Sequence, residues 1–292
     1  MQGTVDGFSY GVVTPVVAYV MACLGGALGL RCTTRSLLVA HSWRPGWLAL
    51  GSAAIGSGIW TMHFVAMMGF TVAETPIHYD KALTFASLAV AIVMVGIGIF
   101  IVGYRGATGT ALFTGGTITG LGIASMHYLG MAGMRLRGTL EYNTLTVAAS
   151  VVIAMVAATA ALWAAAQVRG FLWSLGASLV MGLAVSGMHY TGMAALSVHL
   201  HGPDTEPPGA SSAEILAPMM IGPLAFLLLA GVIVMFDPLM LTGGRHPDTR
   251  SGAHPGRRPH PPHPVPRPGD RHAPGPHRGP RRRPGSRTSQ SR

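Results

Sequence analysis

The sequence predicts an all-α membrane protein, with seven transmembrane helices, the N-terminus outside, the C-terminus inside, and three repeated helical hairpins at its heart. Three observations predict it. Hydrophobic residues make up 49% of the 292 and charged residues only 10%, whereas a soluble domain carries roughly a quarter charged residues. Seven apolar runs reach the length of roughly 20 residues that crosses the hydrocarbon core of a bilayer. A single phrase, Met-His-aromatic-x-x-Met, returns three times at nearly equal spacing.

The first run, 10–30, is of full transmembrane length. The residues before it contain Asp6 and no basic residue, so it is expected to be retained rather than cleaved as a signal peptide. Residues 1–9 remain as a short extracytoplasmic N-terminus. The runs at 46–70, 82–103, 110–134, 144–166, 171–197 and 218–240 follow after mostly short loops, making 10–240 one membrane domain. The even-numbered runs are rich in small residues, as in Gly116-Thr117-Ile118-Thr119-Gly120, which let transmembrane backbones approach closely. Trp60 and Tyr79 are expected in an outer interfacial belt, and Trp43 and Trp47 in an inner one.

Orientation follows from the arginines, because cytoplasmic loops carry the excess of basic residues. Arg31, Arg35, Arg44, Arg105 and Arg169 fall in alternate loops on one side, with the basic tail. The other side holds Asp6, Glu74, Asp80, Glu141, Asp204, Glu206 and Glu214, with Lys81, Arg135 and Arg137 as its basic residues. A multi-pass protein of the inner (cytoplasmic) membrane is expected, its natural partner being the lipid bilayer. Twelve of the nineteen arginines lie between Arg245 and Arg292, so the net charge of +10 describes a tail. Residues 241–292, dominated by Pro, Arg, Gly and His, have too few aliphatic residues for a core. They are expected to be disordered and cytoplasmic; anionic lipid suits their charge, and nucleic acid is not expected as a partner.

The repeated phrase reads Met62-His63-Phe64-Val65-Ala66-Met67, Met126-His127-Tyr128-Leu129-Gly130-Met131 and Met188-His189-Tyr190-Thr191-Gly192-Met193. Successive histidines are 64 and 62 residues apart, one helical hairpin per period. Glycine stands seven residues before each (Gly56, Gly120, Gly182) and a small residue three after (Ala66, Gly130, Gly192). At about 100° per residue these positions and the methionine at +4 form one stripe with the histidine. His63 precedes the end of its run by seven residues, placing it roughly 10 Å below the outer boundary. An intramembrane histidine is costly and faces the bundle interior, so three at one depth mark a functional site.

Imidazole and thioether together are soft donors, and thioether selects copper, above all Cu(I), whereas calcium and magnesium want oxygen. Zinc prefers histidine, cysteine or carboxylate. The candidate ligands are therefore His63, Met67, His127, Met131, His189 and Met193. Met62, Met126 and Met188, about 100° from the histidines, are second-tier candidates better suited to packing. Haem held by two of the histidines, a copper carrier or chaperone, a proton relay and simple repeat packing are the competing readings. Methionine fills irregular gaps readily, but three copies at equal depth favour a ligand set. Cys23 and Cys32 are not placed to pair; the loop histidines His78, His199 and His201 are candidates for passing copper inward.

With these motifs the chain resembles the MHYT domain family of bacterial integral-membrane sensors, named for the tetrapeptide present here as Met188-His189-Tyr190-Thr191. The resemblance covers about residues 8–240 and implies a copper site on the three histidines and their +4 methionines that senses a diatomic gas, namely oxygen, carbon monoxide or nitric oxide, or redox state. Phe64 replaces the tyrosine of the first copy, and Val65 and Leu129 replace threonine in the first two; none of these removes a ligand. Many relatives carry cyclic-di-GMP enzymes or a histidine kinase, and no catalytic module fits the tail here. The expectation is a signalling protein, not an enzyme, acting through a separate cytoplasmic partner.

Overall fold

The computed structural model describes residues 2–167, 171–200 and 212–236. The expected tail, with Arg169, His201, Asp204 and Glu206, lies outside them. In chain order the elements are β1 (Val5–Asp6), α1 (Val13–Ser36), α2 (Arg44–Met68), β2 (Thr71–Val72), β3 (His78–Tyr79), α3 (Lys81–Arg105), α4 (Gly109–Ala132), β4 (Met134–Arg135), β5 (Gly138–Tyr142), α5 (Thr144–Gln167), α6 (Phe171–Ala194), β6 (Leu196–Leu200) and α7 (Ser212–Met235).

Seven helices are described, and six of them are long and apolar enough to cross a membrane. The seventh, α4, is as long but carries six glycines and four threonines, which dilute its apolarity. Local chemistry sets the helix starts. Asp80 caps α3 by accepting from the Leu83 amide at 3.1 Å, and Thr108 caps α4 through Ala111 at 3.3 Å. Proline stands in the first turn of α2, where its missing N–H costs nothing. Gly106, at φ +74°, ends α3 in a conformation that side chains disfavour. The first helix runs on to Ser36, six residues beyond the run expected to end at 30, so Cys32 is buried inside it rather than in a loop.

Each of the three hairpins is α1–α2, α3–α4 or α5–α6, and α6 returns to α1 to close a ring of six helices. The purely helical expectation misses three small antiparallel sheets, β1 with β2, β3 with β4 and β5 with β6. Each sheet joins the segment entering a hairpin to the segment leaving it, so the repeat is strand–helix–helix–strand. A Gln2–His199 bridge and the Gly3 amide donating to Val198 O at 2.9 Å link the first unit to the third. Strands of two to five residues are too short to show an alternating pattern against apolar flanks.

The helix α7 packs outside the ring, against α2 and α1. The most enclosed helix is α2: Trp60, Met62, His63, Phe64, Ala66 and Met67 are all buried. Trp60 is thus a core residue and not part of an outer belt. Its Nε1 donates to Thr84 O at 3.1 Å and to Ser87 Oγ at 3.0 Å. That pairing lets an indole N–H sit in an apolar interior.

Candidate metal centre

His63, His127 and His189 each stand five residues before the last residue of α2, α4 and α6, at 68, 132 and 194. Five residues are about 7.5 Å of helix, so all three lie at one height, just beneath the sheets. The three rings meet on the axis of the helix ring. Nδ1 of His63 is 3.1 Å from that of His127 and 3.1 Å from that of His189, and the third separation is 3.3 Å. The rings stand 80° to 87° to one another, like three blades of a propeller, and each histidine is only 1% exposed.

Three Nδ1 atoms in mutual contact pose a problem that hydrogen bonding cannot solve. In a neutral imidazole each nitrogen is either a donor or an acceptor, so at least one side of the triangle sets like against like. A cation at the centre satisfies three lone pairs at once. The centre of an equilateral triangle of this size is about 1.8 Å from each corner, within about 0.2 Å of a metal–imidazole bond. The residues therefore fit a metal ion. Among the described residues these three histidines are the one cluster of histidine, cysteine or carboxylate donors, and the atoms they offer are nitrogen. Nitrogen donors suit copper, zinc, iron or nickel rather than magnesium or calcium.

The repeat positions explain one another cyclically. Gly130 lies against the His63 ring, where an added Cβ would come 2.6 Å from Nε2, and Gly192 lies likewise against His127 at 2.5 Å. Nε2 of His63 and of His127 is buried without a hydrogen-bond partner among the described residues. No acceptor at Nε2 therefore selects their tautomer, which is left to the contacts at Nδ1. The glycines seven residues before the histidines seat each motif helix on the next hairpin, Gly56 on Ile92, Gly120 on Met155 and Gly182 on Cys23. The last contact closes the ring.

The aromatic after each histidine follows the same rule. Phe64 packs edge-on to Tyr79 at 6.1 Å, Tyr128 to Tyr142 at 5.9 Å, and Tyr190 stacks on Phe8 at 5.9 Å. Each partner comes from the entry segment of the next unit. Sequence reasoning missed Phe8, Tyr142 and Ser150, whose Oγ is 2.7 Å from the Tyr128 hydroxyl. A signal existed, since Tyr79 and Tyr142 are 63 residues apart, one repeat period. The threonine hydroxyl of the third copy bonds its own helix, Thr191 to Gly187 O at 2.7 Å, so Val65 and Leu129 replace it without loss.

Of the methionines, Met62, Met67, Met126, Met131 and Met188 are buried, and Met193 is half-buried. His78 and His199 lie on β3 and β6 with the strand caps, the latter 3.3 Å from Glu141.

A ring of apolar helices enclosing three converging histidines defines a multi-pass membrane protein with a buried imidazole centre. A family model described as the MHYT bacterial signalling protein N-terminal repeat matches residues 56–115, 120–178 and 182–238, each match beginning at the glycine seven before a histidine. The chain belongs to the MHYT family. Among curated relatives it is 38% identical over 192 residues to the bifunctional diguanylate cyclase/cyclic di-GMP phosphodiesterase MucR of Pseudomonas aeruginosa, covering 64% of this chain and 28% of that protein. It is 35% identical over 209 residues to the cyclic di-GMP phosphodiesterase NbdA of the same organism (67% and 26%), and 30% identical over 209 residues to the signaling protein YkoW of Bacillus subtilis (69% and 26%). The chain thus matches about a quarter of the length of these relatives. No solved structure matches.

Proposed function

We propose that this protein is a copper-binding sensor of the cytoplasmic membrane, in which His63, His127 and His189 hold the ion and a diatomic gas or a change of redox state is the signal. The observation that carries the reading is the triangle of three Nδ1 atoms at 3.1 to 3.3 Å, whose three sides protons cannot all pair. Met67, Met131 and Met193 are the thioethers proposed to complete the donor set, and they favour copper over zinc. Met62, Met126 and Met188 remain second to them. Copper held this way would supply a one-electron centre.

The chain's own part is to keep water out and hold the imidazoles still. All three rings are enclosed, and Gly130 and Gly192 leave the space beside two of them that a Cβ would fill. Any change in ring spacing passes through these contacts to the neighbouring hairpin. The orientation proposed is sheets and histidines outward: Asp6, Glu74, Asp80 and Glu141 lie at that end of the helices, and Arg31, Arg35, Arg44 and Arg105 at the other. Output is proposed to run through a separate cytoplasmic partner, the chain itself having no enzymatic activity.

Haem is the weaker reading, because a macrocycle needs a slot between two imidazoles and these ring centroids are 4.9 to 5.1 Å apart. The test is copper content and absorption of the purified protein before and after Cu(I) reconstitution, against a His63→Ala, His127→Ala, His189→Ala triple variant. Near-stoichiometric copper in the wild type and none in the variant is expected. Equal copper in both, or none in either, overturns the assignment.

A further inference from the structure

Below the histidine centre the ring of helices is not filled. A cavity of about 240 Å³ occupies the lumen on the side away from the sheets, walled by residues of all six ring helices. Its inner end is Ile59, Ile123 and Val185, each four residues before its histidine and so about 6 Å beneath it. Its mouth lies at Leu37, Arg44 and Ala107. From Ile59 to Arg44 along α2 is fifteen residues, or about 22 Å, deeper than the roughly 15 Å of hydrocarbon in one leaflet. The room exists because α5 presents alanine to the lumen at 157, 158, 161, 165 and 166, where larger side chains would close it.

Apolar cavities stay dry, and about 150 Å³ already takes benzene. This one is larger, mostly apolar with Thr33 and Thr119 as its uncharged polar lining, and sits inside a bilayer. Among its lining residues Arg44 is the one charged side chain. The guanidinium donates through Nη2 to Gly103 O and stands over the Tyr104 ring at 5.3 Å, yet its Nε is buried with no hydrogen-bond partner among the described residues. A long dry slot ending at one under-used cation matches a molecule with an apolar tail and an anionic head.

We infer that the lumen binds one single-chain anionic amphiphile drawn from the bilayer, its tail reaching toward Ile59, Ile123 and Val185 and its head held by Arg44. This inference does not depend on a metal at the centre.

The test uses the full chain in phosphatidylcholine nanodiscs with a photoreactive long-chain fatty acid, and separately with its methyl ester, labelled residues being located by mass spectrometry. The helix α3 carries its own control, since Val95 and Ile99 face the lumen while Val93 and Ile97 on the same helix are exposed. The acid is expected to label Val95, Ile99 and Ala158 about tenfold more than the ester does, the worth of one hydrogen bond to a charged group. Both probes should label Val93 and Ile97 equally. Arg44→Gln should abolish the preference for the acid, and Ala158→Phe the lumen labelling altogether. Labelling confined to Val93 and Ile97, or lumen labelling equal for acid and ester in the wild type, would overturn the inference without recourse to any variant.

Discussion

Replacing Gly192 by alanine probes the centre through a contact that touches no candidate ligand atom directly. The new Cβ would lie 2.5 Å from His127 Nε2, 3.0 Å from Cδ2 and 3.3 Å from Cε1. Ordinary contact begins near 3.4 Å, so the ring must withdraw by about 0.9 Å, the difference between 3.4 and 2.5. Its Nδ1 starts only 3.1 and 3.3 Å from the other two, and a displacement of that size on one corner spoils the triangle. Overpacking of this kind costs about 1–3 kcal/mol, and disturbing the support of a metal ligand weakens binding about 10–100-fold. The assay is a Cu(I) competition titration and a thermal melt of the detergent-purified protein. The control is Gly187→Ala on the same helix, where an added Cβ meets nothing within 4 Å; it gains only helix propensity, up to about 1 kcal/mol. Wild-type copper affinity and melting in Gly192→Ala would refute the reasoning.

Tyr128→Phe removes the 2.7 Å contact with Ser150 Oγ and should cost about 1 kcal/mol, while Ser150 keeps its bond to Val147 O; denaturant titration measures it. Trp60→Phe removes the indole N–H that Thr84 O and Ser87 Oγ accept, while the Ser87 hydroxyl keeps donating to Thr84 O at 2.6 Å. A loss of about 1 kcal/mol is expected, together with the blue-shifted part of the tryptophan emission. The Leu83 amide, and then Arg135, hold the Asp80 carboxyl below its ordinary value of 3.8. A carboxyl lowered by folding stabilises above its unfolded pKa and stops doing so as pH falls through the folded one. Wild type should therefore lose thermal stability below about pH 4 more steeply than Asp80→Ala, and parallel pH curves would remove Asp80 from that role.

The repeat was legible in the residues themselves because each hairpin must present the same features to its neighbours: a histidine, a glycine two turns back and a small residue three ahead. That the histidine face is the packed face followed from helical periodicity together with the small residues on that stripe. What stayed hidden was pairing between units. Nothing local says that Gly192 meets His127 or that Tyr190 meets Phe8 across the chain's ends. Trp60 shows the same limit, since an indole near a helix end reads as an interfacial anchor until Thr84 and Ser87 are found on the facing helix. The strands escaped notice because two-residue pairings depend on where helix ends are brought together.

By itself, then, the sequence determined a helical membrane protein, its threefold repeat, the common position of the histidines near their helix ends and the small residues beside them, since bilayer thickness and helical period act on each segment alone. Only the tertiary structure decided that the three imidazoles meet at 3.1 to 3.3 Å through Nδ1, that α1 rather than α7 closes the ring against α6, and that the lumen beneath stays open. Those outcomes depend on helices from distant parts of the chain packing around one axis, and packing is a property of surfaces in contact that no single segment carries.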